Sequence, residues 1–176
     1  MKKIALILAG CLLLPAIAHA DDATTPVKAV MDATVKNWSG ADADWIDIFD
    51  ESRLSSLYSK DFITRYKAAA ANPAEDEDGI SPFNYDVIVN GQDACPITDV
   101  KLAPQPPANG VTEVVVTFKK SSCMDDGTDK NQITTDRFEV IQQDGKWVID
   151  DIITEGDPGQ PPNHLKQTMD LIAKGQ

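Results

Sequence analysis

Few side chains in this sequence suit a catalytic site built on histidine or cysteine. Of the two histidines, His19 ends an apolar N-terminal run and His164 lies in a proline-rich tail, where an exposed side chain is expected. No Gly-x-Ser-x-Gly elbow is present, so a Ser-His-Asp triad is not predicted. A zinc site that used Cys95 and Cys123 would still lack two ordinary ligands.

Carboxylates are the remaining candidates for acid–base chemistry. One or two carboxylates in an apolar pocket can act as general acid or base. Four lie on or near predicted strands: Asp86, Asp93, Asp136 and Glu139. The sequence does not choose among them, because a chain with 28 acidic residues brings some together by chance. We predict no catalytic residue and no cofactor.

Two acidic stretches have the composition of cation sites without the spacing. Residues 125–129 resemble part of a calcium-binding loop but lack its sixth-position glycine and twelfth-position glutamate. The run Glu75-Asp76-Glu77-Asp78 has no such spacing either and is predicted to be a solvated loop. No metal site is predicted.

The N terminus has the pattern of a bacterial export signal. Lys2 and Lys3 precede an apolar run that ends in Ala18-His19-Ala20, so residues 1–20 are predicted to be removed before Asp21. The string ending at Cys11 also resembles a lipobox, but too few residues precede it, which argues against lipidation and membrane anchoring. The mature chain is therefore predicted to be periplasmic.

Cys95 and Cys123 are the two cysteines that follow this leader. Disulfides form and persist in an oxidising compartment, so we expect the pair to be bridged. A redox-active pair is the alternative, but there is no Cys-x-x-Cys spacing to lower a thiol pKa.

The charge balance limits the choice of partner. With a formal net charge of −12, the chain suits neither nucleic acid nor anionic lipid. A basic protein is a better partner, although acidity also simply keeps an exported protein soluble. The sequence does not determine the oligomeric state.

Hydrophobic spacing predicts helices first and strands afterwards. Apolar residues recur at helical spacing after Pro26, again over residues 43–49, and in a helix opened by Ser59. The period then changes to two in segments 97–102, 111–119, 133–142 and 146–153, with a hairpin turn at Asp144-Gly145. This order predicts an α+β domain over residues 21–157, followed by a proline-rich segment and short C-terminal helix over 158–176.

Two strings resemble the exported bacterial proteins catalogued as domain of unknown function family 3828. The first joins Pro82-Phe83 to Asn90-Gly91-Gln92-Asp93 and Ile97-Thr98-Asp99-Val100, and the second is Gly145-Lys146-Trp147-Val148-Ile149-Asp150-Asp151-Ile152. The resemblance spans most of residues 26–155. It implies a nuclear transport factor 2-like (cystatin-like) fold, in which helices and a strongly bent sheet form a cone, and it implies no established activity.

Such a cone would have an interior and a mouth. Four aromatic residues either line a hydrophobic pocket or fill it: Phe62, Tyr66, Phe83 and Tyr85. Gln92 and Asp93 either line the mouth or hydrogen-bond a turn, and Trp147 is expected to pack inward rather than serve as a ligand platform.

The sequence favours a non-catalytic protein that binds a small molecule or a protein partner. One alternative is an immunity or inhibitor protein acting on a cell-wall-degrading toxin. The other is a pocket enzyme that uses a buried carboxylate, for which the expected signs are an open cavity and a raised carboxyl pKa.

Overall fold

The computed structural model describes residues 20–40, 44–72, 82–125, 127, 129–156 and 159–176. Residues 1–19 of the predicted leader, which include Cys11, and the acidic run 75–78 lie outside the described residues. The described helices are α1 (Ala20–Asn37), α2 (Glu51–Leu57), α3 (Lys60–Ala70) and α4 (Leu165–Ile172). The described strands are β1 (Thr98–Pro104), β2 (Val111–Lys119), β3 (Thr134–Gln143), β4 (Lys146–Thr154) and β5 (Asn163–His164).

The five strands form one antiparallel sheet in chain order, so the chain is an α+β protein as predicted. Alternate β2 residues, among them Val114, Val116 and Phe118, are buried because one face of the sheet packs on the helices. The β3–β4 turn is a two-residue hairpin in which Asp144 and Gly145 both have positive φ, at 52° and 77°.

Two irregularities bend the ladder. In β1 the register shifts between Thr98 and Lys101, where Asp99 has a positive φ of 58°. Between β3 and β4 it shifts after Glu139, which pairs with Asp151 while Val140 pairs with Ile149. A bulge increases local twist and bending, so the sheet curves at these two points.

Helix α1 packs across the sheet and buries Ala23, Val27, Val30 and Met31. The predicted start at Pro26 was wrong, because α1 begins at Ala20 and Pro26 lies within it. A proline inside a helix removes one backbone hydrogen bond. Burial of the apolar residues on either side of Pro26 offsets that cost.

The predicted helix over residues 43–49 was also wrong. The described part, from residue 44, is irregular, and the next helix is α2. Helix α3 begins as predicted, because the Ser59 hydroxyl accepts a hydrogen bond from the backbone N–H of Phe62 at 3.0 Å.

The C-terminal segment closes one edge of the sheet. β5 pairs with β4, and α4 packs beside α3 with Leu165 and Met169 buried. The ammonium of Lys166 bridges Asp61 at 2.7 Å and Asp150 at 2.9 Å, which ties this segment to α3 and β4.

Among the described residues, no helix is both long and apolar enough to cross a membrane.

Candidate functional site

An aromatic cluster fills the interior beside α3. The ring of Phe49 lies 5.4 Å from Tyr58, 5.9 Å from Phe62, 5.0 Å from Tyr66 and 5.9 Å from Phe83, measured between centroids. Tyr58 and Phe62 stack at 4.6 Å. Phe62 and Phe83, two of the residues predicted to line or fill a pocket, therefore contact other rings.

The other predicted aromatic residues lie at the margin of this core. Tyr66, Tyr85 and Trp147 are half-buried and pack against it. Burial and the nearby charge of Asp47 raise the pKa of Tyr66 to about 12. Burial also raises the pKa of Tyr85, although a hydrogen bond with Asn163 opposes that rise. Neither phenol supplies an anion at neutral pH.

A pocket of about 10 Å³, roughly the volume of one water probe, lies beside Phe49. It is lined by Asn37, Trp45, Ile46, Ile48, Phe49, Asp86 and Val87. A pocket of this size is far smaller than the several hundred Å³ that a drug-sized ligand occupies.

Gln92 and Asp93 lie at the surface. The side-chain amide of Gln92 donates to the carbonyl of Asn84 at 2.6 Å, so it braces a turn. Asp93 forms no ion pair with any described residue, and its side chain faces solvent.

Residues 44–51, here called the Trp45 segment, combine an exposed aromatic side chain with unpaired charge. Trp45 is 48% exposed. The segment holds four carboxylates and no basic residue; Asp44, Asp47 and Glu51 are exposed and form no ion pair with a described residue. This is a surface that attracts positive charge and offers a large apolar contact.

The Trp45 segment is held firmly although it is irregular. The Asn37 side chain donates to the carbonyl of Ile46 and accepts from its N–H, both at 2.8 Å. The carboxylate of Asp47 accepts from the N–H of Phe49 at 2.8 Å, and that of Asp50 caps α2. Because Phe49 is also buried, the segment is ordered in the absence of a partner.

The side chain of Trp38 packs against that of Trp45. Their rings meet edge to face at 6.1 Å, and the indole N–H of Trp38 donates to the carboxylate of Asp86 at 2.8 Å. Asp86 belongs to residues 84–91, here called the Asp86 turn, and its other oxygen accepts from the N–H groups of Ile88 at 2.8 Å and Val89 at 3.2 Å. The turn and the two tryptophans thus form one connected unit.

Of the four candidate carboxylates, Asp86 and Asp136 are buried, while Glu139 is half-buried on the opposite face of β3. Asp136 is 1% exposed, and neither of its oxygens has a hydrogen-bond partner. Burial raises the pKa of Asp136 well above its ordinary value; nearby Glu155 and Asp86 raise it further, while Lys120 opposes the rise.

Lys120 follows β2 and is half-buried. Its ammonium donates to the carbonyl of Val89 in the Asp86 turn. Burial lowers the pKa of Lys120, and the nearby carboxylates of Asp136, Asp86 and Glu155 oppose that effect. This lysine is therefore bonded to the Asp86 turn and lies within electrostatic range of the buried Asp136.

His164 is half-buried, which differs from the exposed position expected in the tail. Because β5 pairs with β4, the imidazole Nδ1 of His164 lies 3.0 Å from the carboxylate of Asp151. Asp151 also accepts from the N–H of Lys166 at 3.0 Å, so it caps the start of α4. Burial raises the pKa of Glu139, and the nearby carboxylate of Asp151 raises it further. These contacts anchor the C-terminal segment.

The predicted disulfide is confirmed: Cys95 and Cys123 are bridged, with Cα atoms 5.5 Å apart. The N–H of Cys95 donates to the carbonyl of Lys120 at 2.8 Å. The bridge therefore fixes the backbone at Lys120 as well as the loop after β2.

Within the described ranges, no group of three or more histidine, cysteine, aspartate or glutamate side chains is arranged to hold a metal ion. No protein-family model matches the chain, and comparison with the curated proteins and with solved structures gives no significant match.

Sequence reasoning missed the Trp45 segment as a candidate binding surface. It interpreted Trp45 as part of an apolar helical stripe, whereas the dense acids around it were the available signal. It also missed Lys120, whose relation to Asp136 depends on strand register and has no local signature.

Proposed function

We propose that this protein is exported to the periplasm and is a non-catalytic binding protein for a basic protein partner, which it contacts through the Trp45 segment. The observation that carries the proposal is a half-exposed tryptophan held rigidly among exposed, unpaired carboxylates. Tryptophan is enriched among the residues that dominate binding energy, and acidic surroundings speed association with a basic partner.

The disulfide is consistent with an oxidising compartment, which supports export. We further propose that the helices and bent sheet belong to the cone-shaped nuclear transport factor 2-like fold, as in family 3828. The element order and the two bulges support this proposal.

Binding of a small molecule inside the cone has less support, because aromatic rings contact one another across the interior beside α3. One feature expected of a pocket enzyme is present, because burial raises the pKa of Asp136. That carboxyl is only 1% exposed, however, so a substrate would have no access to it.

An immunity or inhibitor protein is the specific form of the proposal that the acidic surface favours. Its partner would be a basic enzyme that degrades the cell wall. An inhibitor must block an active site, and a rigid exposed tryptophan with flanking carboxylates can fill a basic cleft.

The test is capture of basic proteins from a periplasmic extract of the producing bacterium, followed by affinity measurement with each purified captured protein. We expect Trp45→Ala to weaken binding by roughly tenfold or more. Neutralising Asp44, Asp47 and Glu51 as amides should slow association and flatten its salt dependence.

Ile133→Ala is the matched control, because Ile133 is also a large exposed apolar residue, at 59%. It should leave affinity within about twofold, as for a residue outside an interface. Equal loss in the Ile133 and Trp45 variants, or no basic protein retained by the wild type, would overturn the proposal.

A further inference from the structure

The residue opposite Asp136 on the neighbouring strand also has a buried polar group without a hydrogen-bond partner. Arg137 pairs with Ile153, and the antiparallel register carried one step further sets Asp136 opposite Thr154. Thr154 is 5% exposed, and its hydroxyl also lacks a hydrogen-bond partner. A buried polar group without a partner costs free energy, so this end of the sheet is poised to change its hydrogen bonding.

Three charged groups lie close enough to Asp136 to influence its pKa. They are Lys120 at the end of β2, Glu155 at the end of β4 and Asp86 in the Asp86 turn. Lys120 is the sole cation of the three, and its ammonium donates to Val89 rather than to Asp136. Such a hydrogen-bonding pattern suits a neutral Asp136, because an ionised buried carboxylate demands a charged partner.

The alternative position of Lys120 has a consequence for the Asp86 turn. A lysine ammonium on its flexible stem can reach different acceptors with little backbone change. If it turns to Asp136, the carbonyl of Val89 loses its charged donor. Val89 also binds the Asp86 carboxylate through its N–H, and that carboxylate holds the indole of Trp38.

We propose that Lys120 is a two-position tether, bonded to Val89 while Asp136 is protonated and to Asp136 once it ionises, and that the second position loosens the Asp86 turn and Trp38. Trp38 contacts Trp45, so ionisation of Asp136 would also weaken the binding surface. This last consequence rests on the proposed function, whereas the tether itself does not.

The experiment follows the indole N–H resonance of Trp38 in ¹⁵N-labelled protein from pH 4 to pH 9. In the wild type we expect a transition with a midpoint above the ordinary aspartate range, and in Asp136→Asn a loss of that transition. In Lys120→Met the transition should also be lost, because no ammonium remains to leave Val89 for Asp136. A Trp38 transition that persists in Lys120→Met would overturn the tether.

Asp32→Asn is the control, because Asp32 is an exposed carboxylate on α1 paired with Lys28. It should reproduce the wild-type profile. A transition that persists unchanged in Asp136→Asn, or its absence from the wild type, would overturn the tether. Circular dichroism verifies that each variant is folded, and Lys120→Met tests the tether independently should Asp136→Asn fail to fold.

No partner is needed for this measurement, so its failure leaves the proposed function standing. If both proposals hold, partner affinity should fall across the same pH range in the wild type and stay level in Asp136→Asn.

Discussion

At the scale of single residues, two buried aspartates show that burial alone does not define a carboxylate's role. Asp86 accepts hydrogen bonds from two backbone N–H groups and an indole, so it acts as a structural acceptor. Asp136 is as deeply buried and has none. The sequence identified both as candidates but could not separate them, because the indole that binds Asp86 comes from 48 residues earlier in the chain and the burial of Asp136 depends on the packing of distant segments.

The pH dependence of stability should report on Asp136. Since burial raises its pKa in the folded state, its contribution to stability is complete below the ordinary aspartate pKa and is lost as pH rises toward the raised value. Asp136→Asn should remove this loss, which has a slope of at most about 1.4 kcal/mol per pH unit. Urea unfolding from pH 4 to pH 8 measures it, and equal pH profiles for variant and wild type would contradict the expectation.

At the scale of elements, local chemistry predicted the structure wherever the determining contacts are local. Alternation defined β2, Asp144-Gly145 defined the β3–β4 hairpin, and Ser59 defined the start of α3. The structure of the Trp45 segment was predicted wrongly, because its determining contacts are not local. Its backbone is bound by Asn37, nine residues earlier than Ile46, so a helical stripe of apolar residues ends in an irregular loop.

Ser59 gives a test of element stability, because its hydroxyl caps α3 and donates to Asp150 at 2.6 Å. Ser59→Ala should lower the free energy of unfolding by about 1–2 kcal/mol, as for other lost N-caps. Ser55→Ala is the control: Ser55 is exposed within α2, and its loss should change stability by less than about 0.5 kcal/mol. Denaturant titration compares the two, and equal effects would show that the cap is unimportant.

At the scale of the whole molecule, the sequence predicted the α+β class and the disulfide but not the mutual position of distant parts. His164 illustrates the gap, since only the pairing of β5 with β4 brings its ring to Asp151. The same holds for Lys120 and the Asp86 turn, which are adjacent because the disulfide and the end of β2 converge there.

The disulfide joins residues 28 positions apart, and chain entropy predicts a stabilisation of roughly 3–4 kcal/mol. Replacing Cys95 and Cys123 with serine should lower the urea midpoint accordingly. Reductant should produce the same change in the wild type and none in the double variant. An unchanged midpoint after verified reduction would contradict this expectation.

The bulge in β1 also affects how this edge of the sheet can interact with other chains. β1 forms one edge of the sheet, and exposed edges are templates for strand addition by other chains. Its shifted register at Thr98–Lys101, the left-handed Asp99 and the terminal Pro104 interrupt the row of consecutive pairing groups that such addition requires. The bulge that curves the sheet should thus also hinder amyloid-like strand addition at this edge.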